Sequence, residues 1–197
     1  MDKTRLQKQI EFILELDKEK SVYRQTHISG YARQENDAEH AWHMAVMAYL
    51  LKEYSNQKID IAKTIIMILL HDVVEIDAGD AYAYDEVAKQ GQAERENRAA
   101  DRIFSLLPDD QKAELRALFD EFNECKTPEA KFARAMDNFQ PLLLNDSNDG
   151  NDWVRHGIKK SQVINRQEKS KSGSTEIWEY SKAVIERNAK KGNLKDE

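Results

Sequence analysis

The sequence is poor in residues that break or cross-link a chain. It contains three prolines, seven glycines and a single cysteine, Cys125, among 197 residues. So few breakers disfavour a many-stranded sandwich or barrel, which needs a turn about every 8–12 residues, and long helices are the simpler expectation. A single cysteine excludes a disulfide within the chain and fits a reducing compartment. We therefore expect a cytoplasmic protein built mainly from helices.

The sequence also lacks an excess of positive charge and a long apolar run. Its formal net charge is −6 and its pI is about 5.5, which argues against a broad electropositive surface for duplex nucleic acid or a membrane. The longest apolar run, residues 64–70, is far shorter than the roughly 20 residues that span a bilayer, and the N-terminus shows no signal-peptide pattern. A small anionic ligand remains compatible with this charge, because one arginine and one metal ion bind a phosphate locally.

The remaining composition is typical of a folded domain, with 40% apolar and 34% charged residues. We find no internal repeat and no linker that divides the chain. The polar stretch around His27 and Tyr31 is interpreted as a loop. Apolar residues at helical spacing predict helices over about residues 3–18, 36–51, 60–79, 86–106, 109–124, 127–147, 151–170 and 174–189. The third of these is apolar nearly all round, so we expect it at the centre of a bundle.

Local signals mark where several of these helices begin or break. Asn36, with Glu39 three positions later, predicts a capping box at the second helix, and Asp60 predicts the N-cap of the third. Pro141 falls inside a predicted helix, so a kink or break is expected there. Residues 190–197 are expected to form a frayed polar tail after a single all-α domain.

The third predicted helix ends in chemistry that its apolar character does not explain. One histidine and four acids follow the apolar run directly, in the order His71-Asp72-Val73-Val74-Glu75-Ile76-Asp77-Ala78-Gly79-Asp80. Burying unpaired carboxylates costs several kcal/mol each, and acids packed this closely repel one another. A bound cation would relieve both problems.

The spacing gives these residues different expected roles. On a helix His71 and Asp72 are about 100° apart, so both reach one ion. Glu75 lies one turn beyond His71, where it is placed to orient a water rather than to bind the ion. Gly79 predicts a turn that brings the Asp80 carboxylate back toward the site, whereas Asp77 is interpreted as a solvated acid.

One helix does not complete a coordination sphere, so further ligands are needed from elsewhere in the chain. His40 lies one turn inside the second predicted helix, and Asp137 is an acid within an otherwise apolar helix face. Two imidazoles and two carboxylates suit one divalent ion, which could be Mn²⁺, Co²⁺, Fe²⁺, Zn²⁺ or Mg²⁺. His43, three residues after His40, is expected to pack or hydrogen-bond behind the ligands, with a place in a second metal site as the alternative.

The pattern of His40, then His71-Asp72, then Asp137 resembles the HD-domain metal-dependent phosphohydrolases. Within them it is most similar to the small single-domain 5′-nucleotidases and 5′-deoxynucleotidases, over about residues 24–147. The resemblance implies an all-α, single-domain helical bundle of the HD-domain type over residues 1–189. It also implies one catalytic divalent metal held by those four residues, and a homodimer.

The same resemblance implies roles for residues around the metal. Glu75 and Asp80 would position or deprotonate the attacking water. Arg24 matches the arginine that holds the phosphate in the family, and Arg33 is a second candidate, either for the phosphate or for bracing the acidic site. Gln25 stands where bacterial deoxynucleotidases of this type carry a tryptophan, so the base and sugar preference stays open.

The expected function is metal-dependent removal of phosphate from a small (deoxy)nucleoside 5′-monophosphate. Three alternatives remain open at this point. The same site could act on a nucleoside triphosphate or an alarmone, although the sequence shows no cluster of basic residues near the metal residues. The chain could instead be a non-catalytic metal-binding helical module. A di-iron oxygenase of the HD fold is the third; it would need additional histidine or carboxylate ligands, for which His43 is a candidate.

Overall fold

A computed structural model describes residues 3–85, 87–88 and 90–196 of the chain. The described residues form ten α-helices and one antiparallel strand pair, β1 (Tyr23–His27) with β2 (Gln34–Asn36). Short 3₁₀ helices occur at Asp17–Ser21, Lys52–Tyr54 and Lys169–Ser172. The α-helices are α1 (Arg5–Leu16), α2 (Asp37–Leu51), α3 (Ile61–Leu70), α4 (Glu75–Ala78), α5 (Gln92–Phe104), α6 (Asp109–Glu124), α7 (Pro128–Ser147), α8 (Asn151–His156), α9 (Lys160–Glu168) and α10 (Thr175–Lys190). The all-α prediction is confirmed.

The predicted helix starts that bear on the site are confirmed. At α2 the Asn36 side chain accepts from the Glu39 backbone N–H at 2.9 Å, and the Glu39 carboxylate accepts from the Asn36 N–H at 3.3 Å. At α3 the Asp60 side chain accepts from the backbone N–H groups of Ala62 and Lys63. These caps satisfy donors that a helix start leaves unpaired. The capping box therefore sets the position of His40 in the first turn of α2.

Helix α3 ends at Leu70 rather than near Gly79, as the sequence had suggested. The chain turns through residues 71–74 and then forms the single-turn helix α4, after which Gly79 has a φ of +75°. At the turn the His71 backbone N–H and the ring Nδ1 both bond to the carbonyl of Ile68. Apolar periodicity does not register this break, because Val73 and Val74 continue the buried pattern. His71 and Asp72 consequently project from the end of a core helix, not from its middle.

The stretch interpreted as a loop around His27 contains a β-hairpin. Its strands pair Tyr23 with Asn36 and His27 with Gln34. The amide of Asn148, at the end of α7, accepts from the Gly30 N–H and donates to the carbonyl of His27. The strands are short and polar, so they lack the apolar alternation by which strands are recognised. The hairpin carries β1 alongside α7, where several site residues lie.

Three other helix predictions differ in their bounds. The helix expected over 86–106 begins at Gln92, although residues 86 and 89 lie outside the described part of the chain. The one expected over 151–170 is split into α8 and α9 by Gly157, which has a φ of +63°. Helix α7 continues through Pro141 to Ser147, so no break occurs there. Packing on both sides of α7 offsets the one backbone hydrogen bond that proline removes.

The polar tail predicted over residues 190–197 is described up to residue 196, and this part packs onto the bundle instead of fraying. Leu194 is buried, and the backbone of Lys195 bonds to that of Ile158 and Lys160. One apolar side chain and two backbone bonds therefore hold the segment, and composition alone does not reveal this.

Helices α3 and α7 form the centre of the bundle, as predicted for α3. Their inward faces are fully buried and pack against α2 and α6. The largest of these side chains are Met67, Ile68, Phe132 and Met136. Among the described helices none is both long enough and apolar enough to cross a membrane.

Candidate metal centre and adjoining cavity

The four residues predicted as metal ligands come together from three elements. His40 lies on α2, His71 and Asp72 follow α3, and Asp137 lies on α7. The Nε2 of His71 lies 3.0 Å from Oδ2 of Asp72 and 3.9 Å from Oδ1 of Asp137. The Nε2 of His40 lies 4.0 Å and 3.5 Å from the same two oxygens. Ligand atoms about 2.1 Å from one ion stand roughly 3.0–3.4 Å apart, so the spacing suits a single small cation.

The hydrogen bonds behind the two imidazoles leave their inner nitrogens free for a cation. Gln140 donates through Nε2 to the Glu35 carboxylate at 2.6 Å, so its Oε1 faces His40 and accepts from Nδ1–H at 2.9 Å. The Nδ1–H of His71 donates to the Ile68 carbonyl at 2.6 Å. In its neutral form each ring then has an unprotonated Nε2. Both Nε2 atoms are buried and have no hydrogen-bond partner among the described residues, so the donor set fits a divalent metal.

The electrostatics of the cluster point the same way. Burial and the charge of Arg24 act to lower the pKa of His40, but the nearby carboxylates of Asp137, Glu35 and Asp72 raise it to about 9. Burial likewise opposes ionisation of Asp72, yet His71 and Arg24 hold its pKa below the usual range. The site thus combines ionised carboxylates with a strong preference for an added positive charge. A divalent cation satisfies that preference without a proton.

Two arginines of the cavity wall, Arg134 and Arg166, converge on Asp137. Arg134 of α7 donates to its Oδ2 at 3.1 Å and lies over the Phe122 ring, 3.9 Å from the centroid. Arg166 of α9 lies 3.8 Å from its Oδ1. The expectation that no basic cluster adjoins the metal residues is therefore wrong. Arg166 is 29 positions from Asp137 in sequence, and only the packing of α9 against α7 brings the two together.

Arg24 lies on β1 and is buried within the acidic side of the site. Its Nη1 donates to Oδ1 of Asp37 at 2.9 Å and to Oδ2 of Asp72 at 2.8 Å. Asp37, Asp72 and Glu75 also form a group of close carboxylates. Arg24 supplies the positive charge for that group and lines the cavity as well. Asp37, which the sequence reading did not single out, is fully buried at the start of α2.

The two predicted catalytic acids, Glu75 and Asp80, lie near Arg24 and Asp72 and line the same cavity. Glu75 is buried, and one of its oxygens has no partner among the described residues. Burial, followed by the charges of Asp72 and Asp37, raises the pKa of Glu75 well above its ordinary value. Burial also raises the pKa of Asp80, against the opposing charge of Arg24. A raised pKa makes a carboxylate a stronger base near neutral pH.

Three further residues fall outside the cluster. Arg33 is half exposed and makes a two-nitrogen pair with Glu39 at 2.6 and 2.7 Å. It does not line the cavity, so its suggested phosphate role is not supported and its contact braces the α2 cap instead. His43 accepts from Gln140 at 3.1 Å, in the supporting position that was expected. Asp77 is paired with Arg102 at the surface.

The cluster of candidate metal ligands opens on a cavity of about 430 Å³, a size that suits a small molecule. His71, Asp72 and Asp137 contribute to its lining, and so do Glu75 and Asp80. The lining also includes aromatic rings and side-chain amides, among them Tyr82, Tyr84, Trp153, Asn138, Asn145 and Gln167. Trp153 is almost fully buried and also forms part of the cavity wall.

Comparison with known proteins identifies the family of this chain. A family model described as the HD domain matches residues 16–178. The chain therefore belongs to the HD domain family, and the resemblance noted in the sequence is confirmed.

Individual relatives are consistent with that membership. The chain is similar to the 5′-deoxynucleotidase HDDC2 of Xenopus laevis, at 32% identity over 122 residues, and to that of Homo sapiens, at 32% over 111 residues. These matches cover 62% and 56% of this chain, but only 57% and 53% of those proteins. The crystal structure of a predicted metal-dependent phosphohydrolase from Magnetospirillum magnetotacticum is 42% identical, with a TM-score of 0.93 over 96% of this chain and 95% of that one.

Proposed function

We propose that the chain is a metal-dependent phosphoric monoester hydrolase that acts on a nucleoside 5′-monophosphate. The observation that carries the proposal is the pair of unpartnered Nε2 atoms of His40 and His71, which face the ionised oxygens of Asp72 and Asp137 beside the cavity. A purely structural cluster would leave neither nitrogen unpaired, because an unsatisfied buried polar atom costs about 1–3 kcal/mol. The similarity to proteins named 5′-deoxynucleotidase supports the substrate class.

Each residue of the site then has a role that its surroundings suit. A divalent metal bound by the four ligands would polarise a phosphoryl oxygen and lower the pKa of a water. Glu75 and Asp80, whose pKa values are raised, are placed to orient that water and take its proton. Arg24 neutralises the acids behind the phosphate and contributes charge to the phosphate pocket. Arg134 and Arg166 add positive charge at the Asp137 side.

The test is phosphate release by the metal-stripped protein from ribo- and deoxynucleoside 5′-monophosphates. Mn²⁺, Co²⁺, Fe²⁺, Mg²⁺, Zn²⁺ or no metal is added back, and the Asp72→Ala protein is the control. We expect release that requires metal and is absent from the control. Parallel assays with nucleoside triphosphates and an alarmone test whether Arg134 and Arg166 favour longer phosphate chains. Metal binding without release from any of these esters would contradict the proposal and favour a non-catalytic module.

We further propose that the protein works as a cytoplasmic homodimer joined through α2 and α3. Trp42, Val46, Tyr49 and Leu50 lie at helical spacing on α2 and are 42–64% exposed, and α3, which packs against α2, exposes Ile66 and Leu69. Monomers rarely expose a large contiguous apolar patch. A second copy buries the same patch by two-fold symmetry. Cys125, the single cysteine, suits the reducing cytoplasm.

Charges placed in this patch should separate the two copies. We expect Trp42→Glu combined with Leu50→Glu to halve the mass that light scattering reports after gel filtration. The matched control is Val154→Glu, which places a charge at an exposed apolar residue of α8 and should leave the mass unchanged. A monomeric wild-type protein at micromolar concentration, or an unchanged mass for the double variant, would remove α2 as the interface.

A further inference from the structure

Two buried side-chain amides in the cavity wall carry oxygens without a partner. Asn145 and Gln167 are 6% and 1% exposed, and both line the cavity. In the described part of the chain, Oδ1 of Asn145 and Oε1 of Gln167 have no hydrogen-bond donor. Buried amide oxygens are nearly always paired, so two in one cavity wall call for donors from a ligand.

The orientation of both amides is determined by their other contacts. Asn145 donates through Nδ2 to the Pro141 carbonyl at 2.8 Å, and Gln167 donates through Nε2 to the Asn138 carbonyl at 2.6 Å. A carbonyl accepts only, so in each amide the nitrogen must face it. The unpaired atoms are therefore oxygens, and each requires an N–H or O–H group.

A phosphate does not meet this requirement near neutral pH, because its oxygens are overwhelmingly acceptors. The arginines and a metal held by the candidate ligands would already bind the phosphate oxygens. The nucleoside part of a nucleotide does carry donors, namely the sugar hydroxyls and the N–H groups of the base. The two amides are thus chemically suited to the half of the substrate that the metal centre does not contact.

Their positions separate the two amides along the cavity. Gln167 bonds to the carbonyl of Asn138, the residue directly after Asp137, so it lies level with the candidate metal centre. Asn145 follows Asp137 by eight residues on α7, which is about 12 Å along a helix axis. In a 5′-nucleotide the sugar is next to the phosphate and the base lies beyond it, which is the same order.

We propose that Gln167 accepts a hydrogen bond from a sugar hydroxyl and that Asn145 accepts one from an N–H group of the base, so that these two amides select a nucleoside 5′-phosphate over other phosphate esters. This inference rests on the proposed function, since it assumes that the phosphate binds at the metal centre. Gln167 and Asn145 are specificity-determining residues in this scheme and take no part in the bond-breaking step.

The test removes the acceptor from the protein and the donor from the substrate in turn. For Asn145→Ala we expect kcat/KM on a nucleoside monophosphate to fall about ten-fold or more relative to ribose 5-phosphate, which has no base. For Gln167→Ala the same fall is expected relative to the 2′,3′-dideoxynucleotide, which has no sugar hydroxyl. For each amide, the loss of the protein acceptor and the loss of the substrate donor should be strongly non-additive in their effect on kcat/KM.

A matched control separates recognition from general damage to the core. Asn188 is a fully buried amide on α10 whose Nδ2 bonds to Asp146 and Val184, so Asn188→Ala should leave both selectivity ratios unchanged. If the Asn145 or Gln167 variant lowers the activity on all esters equally, or if the wild-type protein does not distinguish a nucleotide from ribose 5-phosphate, the inference is wrong while the phosphatase assignment stands.

Calorimetry on the metal-loaded protein, with a non-hydrolysable nucleoside 5′-phosphonate as the ligand, provides a readout that does not depend on turnover. This ligand should bind the wild-type chain at least about ten-fold more tightly than either alanine variant. Equal binding by the three proteins would overturn the inference, and so would the absence of phosphonate binding to the wild type. Absence of phosphate release from every ester, together with selective phosphonate binding, would instead contradict the proposed function alone.

Discussion

Replacing Asp72 by alanine should abolish metal binding and lower phosphate release by about a thousand-fold or more, because a metal contributes several kcal/mol to phosphoryl transfer. Its Oδ2 lies within 4.0 Å of both imidazole Nε2 atoms and within 2.8 Å of Arg24. No other carboxylate links the histidines to the arginine in the described residues. Metal content after dialysis and the initial rate of phosphate release measure the two effects.

Two further variants keep this prediction specific. Asp72→Asn preserves the shape of the side chain and should lose metal as well, which separates ligand chemistry from packing. Asp77→Asn alters an exposed acid five residues along the chain, one that is paired with Arg102, and should keep both metal and activity. If the purified Asp72→Ala protein retains full activity, Asp72 is not a ligand.

Replacing Arg24 by methionine should lower the free energy of unfolding by about 3–5 kcal/mol, as is typical when one partner of a buried ion pair is removed. The change leaves Asp37 and Asp72 without their shared cation beside Glu75. The guanidinium is almost fully buried, so solvent does not screen the stranded carboxylates. Urea denaturation of the metal-stripped proteins measures the loss, and the KM for the phosphate ester should rise as well.

The origin of that loss can be checked with a second substitution. Adding Asp37→Asn to Arg24→Met removes one stranded charge and should restore part of the stability, so the two changes are non-additive. Arg33→Met is the matched control, because Arg33 is half exposed and its surface pair with Glu39, screened by solvent, contributes little to stability. Strict additivity of the first pair, or an equal loss in the control, would show that Arg24 acts through packing alone.

Local sequence signals predicted most of the helices because each signal acts over a few residues. The capping box of Asn36 with Glu39 and the N-cap at Asp60 lie where the sequence placed them. The end of α3 was predicted wrongly, since the buried Val73 and Val74 continue its apolar pattern through the turn. The hairpin was missed because its strands are short and polar, and because Asn148, distant in sequence, holds its turn.

The site shows the same division. His40, His71, Asp72 and Asp137 were identified as a candidate ligand set from their order in the chain, and the structure brings their side chains together. Arg166 and Gln167 carry no local signal, because they become part of the site only when α9 packs against α7. Gln140, which bonds to His40, lies three residues after Asp137 on the same face of α7, so helical spacing would have placed it near the candidate ligands.

The sequence by itself determined the helical class, the helix caps, the candidate ligands and the resemblance to the HD domain family, since all of these depend on residue types at short or ordered spacings. Only the tertiary structure decided which ring nitrogens are unpaired and which amides line the cavity. It also decided that Arg24 is buried between acids, whereas Arg33 is half exposed. Those features depend on contacts between residues far apart in the chain. They arise only when the helices pack, because burial determines which polar atoms still need a partner.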